Sequence, residues 1–393
     1  MKRFQHLIVG GGMTAAAAAH GIREVAPGAT IGLISADPHP PYNRPPLSKA
    51  LWKGDPESSV WRTDDVQGVE LILSRRVTGI DTGKRTVTDE TGEIYGFGSL
   101  LLATGGAPRR LTGAPDSVVY FRSLDDYRRL RALAGPGKHF VVLGGGFIGS
   151  EVAAALRMQG ADVTMVIPEA GVGARVFPGP LSQHLAEYYR GKGVTVRTGE
   201  GVATVTERAG KSVVKTTTGA ELTADCVVAG LGIIPSVDLA QAAGLTIENG
   251  IVVDEYLRTS NPSIYAAGDV ANFPSHALAH RVRVEHEDNA NAQGRQAGRN
   301  LAGANEPYHH LPFFYGDLFE LGYEAVGDLD ARLETVSDWK TPLQEGVIYY
   351  LANGRVRGAL LWNTWGQVDH ARALIAEAGP FTAASVVGRL PVG

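Results

Sequence analysis

Short apolar runs rich in β-branched residues alternate with longer alanine-rich or amphipathic segments along much of this chain. Near the N-terminus the pattern predicts a strand at residues 7–9, a helix from about 13 to 25 and a strand at 30–35. The same order of elements returns at residues 138–167. Strands that alternate with helices of this length are typical of parallel sheets in α/β proteins. The pattern therefore predicts two separate β-α-β units.

The rest of the chain adds strands, one polar helix and a region of different character. Short strands around 71–73 and 86–88 flank a turn at 81–84 and predict a small antiparallel feature, and further strands are predicted at 194–196 and 213–217. A polar helix is predicted at about 285–302, and the final ~80 residues carry aromatic strands and one helix near 368–378. The apolar runs SLLLATGGAP and CVVAGLGIIP share one plan, which indicates an internal duplication of a whole domain.

Each predicted β-α-β unit carries a glycine fingerprint of the G-x-G-x-x-G/A type between its first strand and its helix. The first fingerprint consists of Gly10, Gly12 and Ala15, and the second of Gly144, Gly146 and Gly149. Glycine is needed there because the chain must turn tightly and bring backbone N–H groups close to a pyrophosphate at the helix N-terminus. Two fingerprints in this context predict two bound dinucleotides.

Composition and charge exclude several classes of function. The formal net charge of −4 argues against a general nucleic-acid binder. No apolar run approaches the ~20 residues that span a bilayer, and the first strand begins too early to leave room for a targeting peptide. The single cysteine, Cys226, excludes a disulfide within the chain, and the histidines, including His309 and His310, lack metal-ligand spacing. We therefore expect a cytoplasmic protein without a metal site.

Several longer motifs resemble one known family. YNRPPLSK, LLATGGAPR, GGGFIGSE and TSNPSIYAAGDVA together resemble the pyridine-nucleotide flavoprotein reductases of glutathione-reductase-like fold. RPPLSKALW, RVEHEDNANAQGRQAGRNLAG, GYEAVG and GVIYYLANGRVRGALLWN bring the resemblance closest to apoptosis-inducing factor and its bacterial relatives, with ferredoxin reductases and monodehydroascorbate reductase nearby. The resemblance covers nearly the full length.

The resemblance implies an α/β fold with two Rossmann-type dinucleotide-binding domains and a C-terminal α/β interface domain. A discontinuous FAD domain is expected at residues 1–112 and 246–308, an NAD domain at 113–245, and the C-terminal domain at 309–393. The implied cofactors are FAD on the first fingerprint and NADH on the second.

The expected FAD contacts come from several separate segments. Asp37, at the end of the second strand, is the candidate for the adenosine ribose, although it could be a simple turn aspartate. By resemblance, Asp269 contacts the ribityl chain, with a helix cap as the alternative. Thr104, Gly105 and Arg109 belong to a turn that approaches FAD in the family, although Arg109 could be an ordinary surface cation.

The expected nicotinamide-nucleotide contacts lie around the second fingerprint. Glu169 lies 20 residues beyond Gly149, where a carboxylate accepts from the ribose 2′-hydroxyl and repels a 2′-phosphate, so NADH is preferred over NADPH. Arg175 is close enough in sequence to complicate this preference, and Glu169 could also be a solvated strand-end residue. By resemblance, Phe147 gates the nicotinamide site, although a core role is almost as plausible. Ile148 and Gly232 are two further candidates for cofactor binding.

Charged and aromatic residues are expected around the flavin ring. By resemblance, Lys49 pairs with Glu151 beside the flavin with Arg44 nearby, and the alternative is an ion pair without catalytic effect. A charge that begins a helix but is buried needs such a partner. Glu285 and His286 are expected to begin the polar helix near flavin and nicotinamide. Tyr315 stands where relatives usually carry tryptophan, which puts stacking against either ring in doubt.

The absence of cysteine from the segment after the first β-α-β unit limits the mechanism. Disulfide reductases of this fold carry a cysteine pair after the first unit, and related peroxidases and oxidases carry one cysteine, whereas this chain has prolines and no thiol there. The expected function is therefore FAD-dependent NADH oxidation, with hydride transfer to flavin N5 and direct delivery of electrons to a redox protein, a quinone or oxygen. The alternatives are a ferredoxin or rubredoxin reductase and a redox-gated interaction protein of the apoptosis-inducing factor type. Arg128, Arg129 and Arg131 are candidates for the docking surface of such a reductase, although they could equally form an ordinary charged helix face. A homodimer is one option for the assembly.

Overall fold

The computed structural model of the chain describes residues 1–391. Within them the α-helices are α1 Met13–Val25, α2 Leu124–Leu133, α3 Phe147–Met158, α4 Gly179–Gly191, α5 Asp238–Ala242, α6 Glu287–Leu301, α7 Val368–Ala376 and α8 Ala383–Val386. The strands are β1 Lys2–Val9, β2 Ile31–Ile34, β3 Glu70–Ile72, β4 Val77–Asp81, β5 Thr86–Asp89, β6 Ile94–Leu102, β7 Gly106–Pro108, β8 His139–Leu143, β9 Asp162–Ile167, β10 Thr195–Thr198, β11 Val202–Arg208, β12 Lys211–Thr216, β13 Glu221–Ala224, β14 Cys226–Ala229, β15 Ile233–Pro235, β16 Ile251–Val252, β17 Ile264–Ala266, β18 Ala271–Ser275, β19 His280–Val282, β20 Phe313–Leu318, β21 Leu321–Gly327, β22 Glu334–Thr341, β23 Glu345–Ala352 and β24 Arg355–Trp362.

The chain folds into two compact units, each made of segments that are separate in sequence. The first unit contains Met1–Arg44, Glu57–Ala107 and Ile234–Phe313, and the second contains Pro45–Pro56, Pro108–Ile233 and Phe314–Gly393. The three-domain division remains a prediction. No helix among residues 1–391 is long and apolar enough to cross a bilayer.

The first unit is built on a seven-stranded sheet. Strands β3, β2, β1, β6 and β17 run parallel, and β5 and β4 continue the sheet beyond β6 with antiparallel pairing. The predicted pairing around the 81–84 turn was therefore wrong. The partner of β5 is β4, and β3 instead lies parallel to β2 as the edge strand of the parallel part of the sheet.

Helices α1 and α6 of the first unit pack with their backbones in close approach. A Cβ atom on Gly294 would overlap the carbonyl oxygen of Thr14, and one on Gly298 would overlap that of Ala18. The small residues are thus required by the helix contact itself. The packing covers the central strands, where Leu7 and Leu101 are fully buried.

The second unit combines a parallel sheet with two antiparallel sheets. Strands β10, β9, β8 and β14 form the parallel sheet, β11–β13 form a three-stranded antiparallel sheet, and β20–β24 form a five-stranded sheet in the order β20-β21-β24-β23-β22. The predicted 138–167 unit is confirmed as β8, α3 and β9. The two fingerprints therefore lie at the edges of the two parallel sheets where β1 and β8 end.

Candidate functional site

The first fingerprint forms the turn between β1 and α1 in the first unit. Gly10 has φ +122°, and a Cβ atom there would overlap the Ala103 carbonyl oxygen, so the fold itself requires glycine. Gly12 is the N-cap of α1, and within residues 1–391 no atom lies within 4 Å of a Cβ atom built on it. Ala15 is fully buried in the first turns of the helix. Space beside Gly12 is therefore left next to the uncapped N–H groups of a helix N-terminus, which fits a pyrophosphate.

The second fingerprint has the same geometry between β8 and α3 in the second unit. Gly144 has φ +97°, and a Cβ atom there would lie 2.6 Å from the Gly230 carbonyl oxygen. A Cβ atom on Gly149 would overlap the Gly144 carbonyl oxygen. Gly146, the N-cap of α3, again has no neighbour within 4 Å of its Cβ position among the described residues. In both fingerprints the outer positions serve packing, and the middle glycine leaves room for a ligand.

Asp37 follows β2 at the edge where the first fingerprint lies. Its two carboxylate oxygens accept hydrogen bonds from the backbone N–H of His39, at 3.0 Å, and from the Tyr42 hydroxyl, at 3.1 Å. These contacts fix the side chain in its loop. Each carboxylate oxygen has more than one lone pair, so a ribose hydroxyl could still be accepted.

The segment after β6 carries three residues predicted to contact FAD, two in the first unit and one in the second. In the first unit the Thr104 hydroxyl donates to the Ser236 carbonyl at 2.8 Å, and Gly105, with φ +62°, accepts from the Ser236 N–H at 3.0 Å. In the second unit the N–H of exposed Arg109 donates to the carbonyl of Gly232 at 2.9 Å. Gly232 has φ +81°, and the backbone hydrogen bond makes these two predicted residues neighbours, although they come from segments far apart in the sequence.

Asp269 lies in a short turn that follows β17 in the first unit. The preceding Gly268 has φ +78°, and its N–H donates to the side-chain oxygen of fully buried Gln293 at 2.7 Å. Arg283 donates to the Asp269 carbonyl at 3.0 Å and pairs with Glu285 at 2.7 Å. The turn that presents Asp269 is therefore held from α6 and from the segment before it.

Glu285 and His286 precede α6 rather than beginning it. The helix begins at Glu287, and His286 is its N-cap with extended backbone. The prediction was thus wrong by two residues, because charged residues fit the sequence pattern of a first turn whether or not they lie within it. Arg44, the other predicted flavin neighbour of the first unit, lies over the Tyr42 ring at 5.8 Å.

Lys49 and Glu151 form a buried ion pair in the second unit. The Lys49 ammonium lies 2.6 Å from Oε1 of Glu151, and their side chains are 12% and 4% exposed. The Ser48 hydroxyl donates to Oε2 of the same carboxylate at 2.6 Å. Burial raises the pKa of Glu151, and the Lys49 charge followed by the hydrogen bonds from Lys49 and Ser48 opposes this rise. The arrangement keeps a positive charge at a fixed place with little water around it.

The segment that carries Lys49 is anchored to the second unit by further contacts. Two short 3₁₀ turns, Pro45–Ser48 and Ala50–Trp52, follow from its proline content. The Trp52 indole lies edge-on to the Tyr127 ring at 5.5 Å, and Gln159 donates to the Trp52 carbonyl at 2.9 Å. Lys53 pairs with Asp317 at 3.0 Å. The segment is therefore anchored immediately after Lys49.

Aromatic side chains lie around the start of α3. Phe147 is half-buried, and its ring centroid lies 5.1 Å from that of Phe314. The Lys49 ammonium lies 5.1 Å from the centroid of Tyr315, which is 36% exposed, and Ile148 is 40% exposed. The structure thus brings Tyr315, Lys49 and Glu151 together within one unit.

Glu169 lies two residues beyond the end of β9. Its Oε1 is 2.7 Å from both Nε and Nη2 of Arg175. The backbone carbonyl of Glu169 accepts from the Gly199 N–H at 2.9 Å. The Glu169 carboxylate, which was predicted to bind the ribose, is therefore paired with Arg175, the arginine that lies close to it in the sequence.

Ser48 and Gln293 take part in these arrangements and were not identified from the sequence. Ser48 directly precedes Lys49 in RPPLSK, and a hydroxyl beside a buried charge is a usable signal. Gln293 is a polar residue among the small residues of α6, which is a weaker signal because that helix is polar throughout. Ser48 contacts the predicted Glu151, and Gln293 contacts Gly268, the residue before the predicted Asp269.

Comparisons with known proteins place most of the chain in two family models. Residues 4–294 match the model for pyridine nucleotide-disulphide oxidoreductases. Residues 297–345 match the model for the C-terminal part of mitochondrion-associated apoptosis-inducing factor. The two matches agree with the sequence motifs from which the resemblance was inferred.

Individual relatives match over nearly the whole chain. The chain is 34% identical to apoptosis-inducing factor 1, mitochondrial, of Dictyostelium discoideum, over 96% of this chain and 79% of that protein. It is 35% identical to the ferredoxin–NAD(+) reductase component of the anthranilate 1,2-dioxygenase system of Burkholderia cepacia, over 94% and 93%. Among solved structures, the covalent putidaredoxin reductase–putidaredoxin complex matches with a TM-score of 0.88 and 31% identity, over 96% of this chain and 94% of that one.

Proposed function

Because the chain belongs to the pyridine nucleotide-disulphide oxidoreductase family and is a FAD-containing, NADH-dependent oxidoreductase, we propose that its electron acceptor is an external iron–sulfur protein of the ferredoxin type. FAD, when bound, supplies the redox chemistry: it takes a hydride from NADH and passes the electrons on. The chain contributes binding, orientation and charge.

The observation that carries this proposal is the state of the only thiol. Cys226 is the single cysteine of the chain, it lies in β14, and it is 3% exposed. Burial raises its pKa to about 11, so it is a thiol and not a thiolate at neutral pH. One buried, protonated thiol cannot form an internal disulfide, and electrons must therefore leave for an external acceptor directly.

The chain's own residues have distinct parts in this proposal. The open positions beside Gly12 and Gly146 would take the two pyrophosphates, each at a helix N-terminus. Lys49 would supply a positive charge that favours a more negative, reduced cofactor, and Glu151 and Ser48 would hold the ammonium in place. Phe147 and Tyr315 would limit access of water to that charge.

Two observations favour a ferredoxin-type acceptor. The relative from Burkholderia cepacia and the enzyme of the solved complex are both named as reductases of such proteins. In this chain α2 exposes Arg128 and Arg129, and Arg131 lies over the Trp52 ring at 5.6 Å. Arg128 also contacts Asp125 at 3.2 Å, so its charge is partly balanced. An acidic carrier would be attracted chiefly by the remaining arginines.

The test compares acceptors on one preparation of reduced enzyme. The holoenzyme is reduced anaerobically with one equivalent of NADH and mixed in a stopped-flow instrument with an oxidised [2Fe–2S] ferredoxin, a water-soluble quinone or dioxygen. We expect reoxidation of the flavin to be fastest with the ferredoxin and to slow as ionic strength rises. Arg129→Gln should reduce that rate and its dependence on salt, whereas Arg208→Gln, a matched exposed arginine on β11, should not. A quinone rate above the ferredoxin rate would refute the proposed acceptor.

A redox-gated interaction protein is the second candidate, favoured by the similarity to apoptosis-inducing factor. In this chain β22 and β23 form a hairpin closed at residues 342–344, so no long insertion lies between them. Sedimentation with and without NADH would separate the candidates, since only a redox-gated protein is expected to change its assembly. The cytoplasmic location and the homodimer stay predictions.

A further inference from the structure

Strand β20 contacts the segment that carries Lys49 at two points. The Lys49 ammonium lies 5.1 Å from the centroid of the Tyr315 ring, and the Lys53 ammonium lies 3.0 Å from Oδ2 of Asp317. Tyr315 and Asp317 are two residues apart in the strand, so their side chains project from the same face of the sheet. One face of one strand therefore contacts two lysines of the same short segment.

A single 3₁₀ turn separates the two lysines. The Trp52 N–H donates to the Lys49 carbonyl at 3.1 Å, and the Lys53 N–H donates to the Ala50 carbonyl at 3.0 Å. Because these hydrogen bonds close the backbone between the two lysines, a displacement of Lys53 is passed on to Lys49. The Trp52 ring holds the turn on the side of α2, and Asp317 holds it on the side of β20.

Charges of alternating sign lead from the buried ion pair towards solvent. The exposed fraction of the side chain rises from 4% for Glu151 and 12% for Lys49 to 34% for Asp317 and 49% for Lys53. Burial is the main cause of the raised pKa of Glu151, and the charge of Asp317 adds to it. The Asp317 carboxylate is therefore close enough for its charge to act on the buried pair. Because Lys53 balances that charge, the outer pair can hold the segment without adding a net charge beside Lys49.

We propose that Asp317, acting through Lys53, is a positioning residue for the buried Lys49 ammonium. Without the outer pair the turn stays anchored on the side of α2 only, and Lys49 is less firmly held beside Glu151. This inference rests on the proposal that the charge of Lys49 favours the reduced form of bound FAD. A less firmly held ammonium favours that form less, so the equilibrium constant for reduction of the bound FAD should fall.

The experiment measures the equilibrium between oxidised and reduced FAD in the holoenzyme, against a reference dye of known potential and without oxygen. The decisive protein is the double variant Asp317→Asn/Lys53→Gln, because it removes the outer pair without changing the net charge. Its equilibrium constant for two-electron reduction should be about two- to fivefold lower than that of the natural chain, the effect available to one exposed ion pair. This corresponds to a potential about 10 to 20 mV more negative.

The single variants and a second ion pair serve as controls. Lys53→Gln should lower the equilibrium constant more than the double variant does, and Asp317→Asn should lower it less, because each single variant also changes the net charge. The control pair is Lys192 and Glu320, 2.7 Å apart, which joins the tip of the same β20–β21 hairpin to the residue after α4. Lys192→Gln/Glu320→Gln should leave the equilibrium constant unchanged. Near-ultraviolet circular dichroism and retained flavin absorbance show that each variant is folded.

The outcomes separate this inference from the proposal on which it rests. If Asp317 and Lys53 acted on FAD only through their own charges, the effects would cancel, and a double variant with the natural equilibrium constant would overturn the inference. Lys49→Met is measured alongside. If it left the equilibrium unchanged, the proposed role of Lys49 would be wrong together with the inference, whereas a shift with Lys49→Met alone would overturn only the role of Asp317. The proposed acceptor is tested separately, because no acceptor protein is present in this experiment.

Discussion

Removing Lys49 should make the stability of the protein depend more steeply on pH than it does in the natural chain. In Lys49→Met the Glu151 carboxyl is left buried without its cation, and burial already raises its pKa. In the folded state the Glu151 carboxyl is expected to take up a proton, because this costs less free energy than burying an unpaired carboxylate. At pH 7 the proton uptake alone then costs at most the work of protonating a group of ordinary pKa 4.5, that is 7 − 4.5 = 2.5 units, or about 3.4 kcal/mol.

The sign of the pH dependence follows from proton counts. Between pH 5 and 7 the folded Lys49→Met variant would carry one proton on Glu151, whereas its unfolded chain would be mostly ionised. Because the folded state binds more protons, stability falls as pH rises, by up to about 1.4 kcal/mol per pH unit. In the natural chain the charge and hydrogen bond of Lys49 oppose the rise that burial causes in the pKa of Glu151, so the slope from this group should be smaller. The destabilisation caused by Lys49→Met should therefore shrink when measured at pH 5.

Glu151→Gln is the matched variant, because glutamine keeps an oxygen that can accept from Ser48. It leaves the Lys49 ammonium, 12% exposed, without a carboxylate. Breaking a buried pair in this way costs about 3–5 kcal/mol, and we expect the lower end because the Tyr315 ring remains 5.1 Å away. Lys49→Met/Glu151→Gln should lose less than the sum of the single variants.

The assay is urea-induced unfolding of the holoenzyme, followed by tryptophan fluorescence at pH 5 and pH 7. Anaerobic reduction by NADH is measured in parallel, since a purely structural pair would alter stability while leaving the reduction rate of the folded protein unchanged. A Lys49→Met variant with the same loss of stability at both pH values would refute the reasoning about proton uptake. Additive single variants would show that the two side chains do not interact.

Three further outcomes are expected. Gly12→Ala and Gly146→Ala should leave the fold intact but weaken FAD and NADH binding respectively, because each new methyl group meets only the space reserved for a ligand; thermal unfolding and nucleotide titration check this. The backbone N–H of His139 and nearby lysines lower the pKa of Asp225 to about 2 from an ordinary 3.8, so its stabilisation should be present above pH 4 and lost towards pH 2, and Asp225→Asn should show a smaller loss in acid unfolding curves. Cys226 should react with a thiol reagent only when the protein unfolds, and Cys226→Ala should retain NADH oxidation; rapid labelling of the native protein would contradict the proposed thiol-free route.

The parts of the fold that local patterns determine were predictable. The bounds of α1 at residues 13–25 follow from an alanine-rich run between a glycine turn and a proline, and both fingerprints lie where strand and helix meet. The pairing of β3 was not predictable, because a three-residue strand carries no signal for the partner it joins across a sheet. Helix α4 was missed since its apolar residues are interspersed with tyrosine and histidine.

The candidate site shows the same limit at the level of single residues. Helix position and spacing drew attention to Glu151 and Glu169, because charges in apolar or strand-end positions need an explanation, whereas the pairing of Lys49 with Glu151 was inferred from the family resemblance. Spacing alone could not show that Ser48 completes the Glu151 carboxylate or that Arg175 contacts Glu169, since both contacts depend on how loops fold back. The sequence also did not show how the chain divides into two units, because residues 45–56 lie between two segments of the first unit but belong to the second.

That division has a chemical consequence for helix α3. Gly146 caps the helix beside the open position of the second fingerprint, and Glu151, five residues later, holds Lys49. At 1.5 Å per residue these positions are about 7.5 Å apart along one helix axis. A single rigid element therefore sets both the place where a pyrophosphate can bind and the place where the buried ammonium is held. If the second fingerprint binds NADH as proposed, the positive charge of Lys49 is positioned by the element that binds the electron donor, although Lys49 itself comes from the segment that follows the first β-α-β unit.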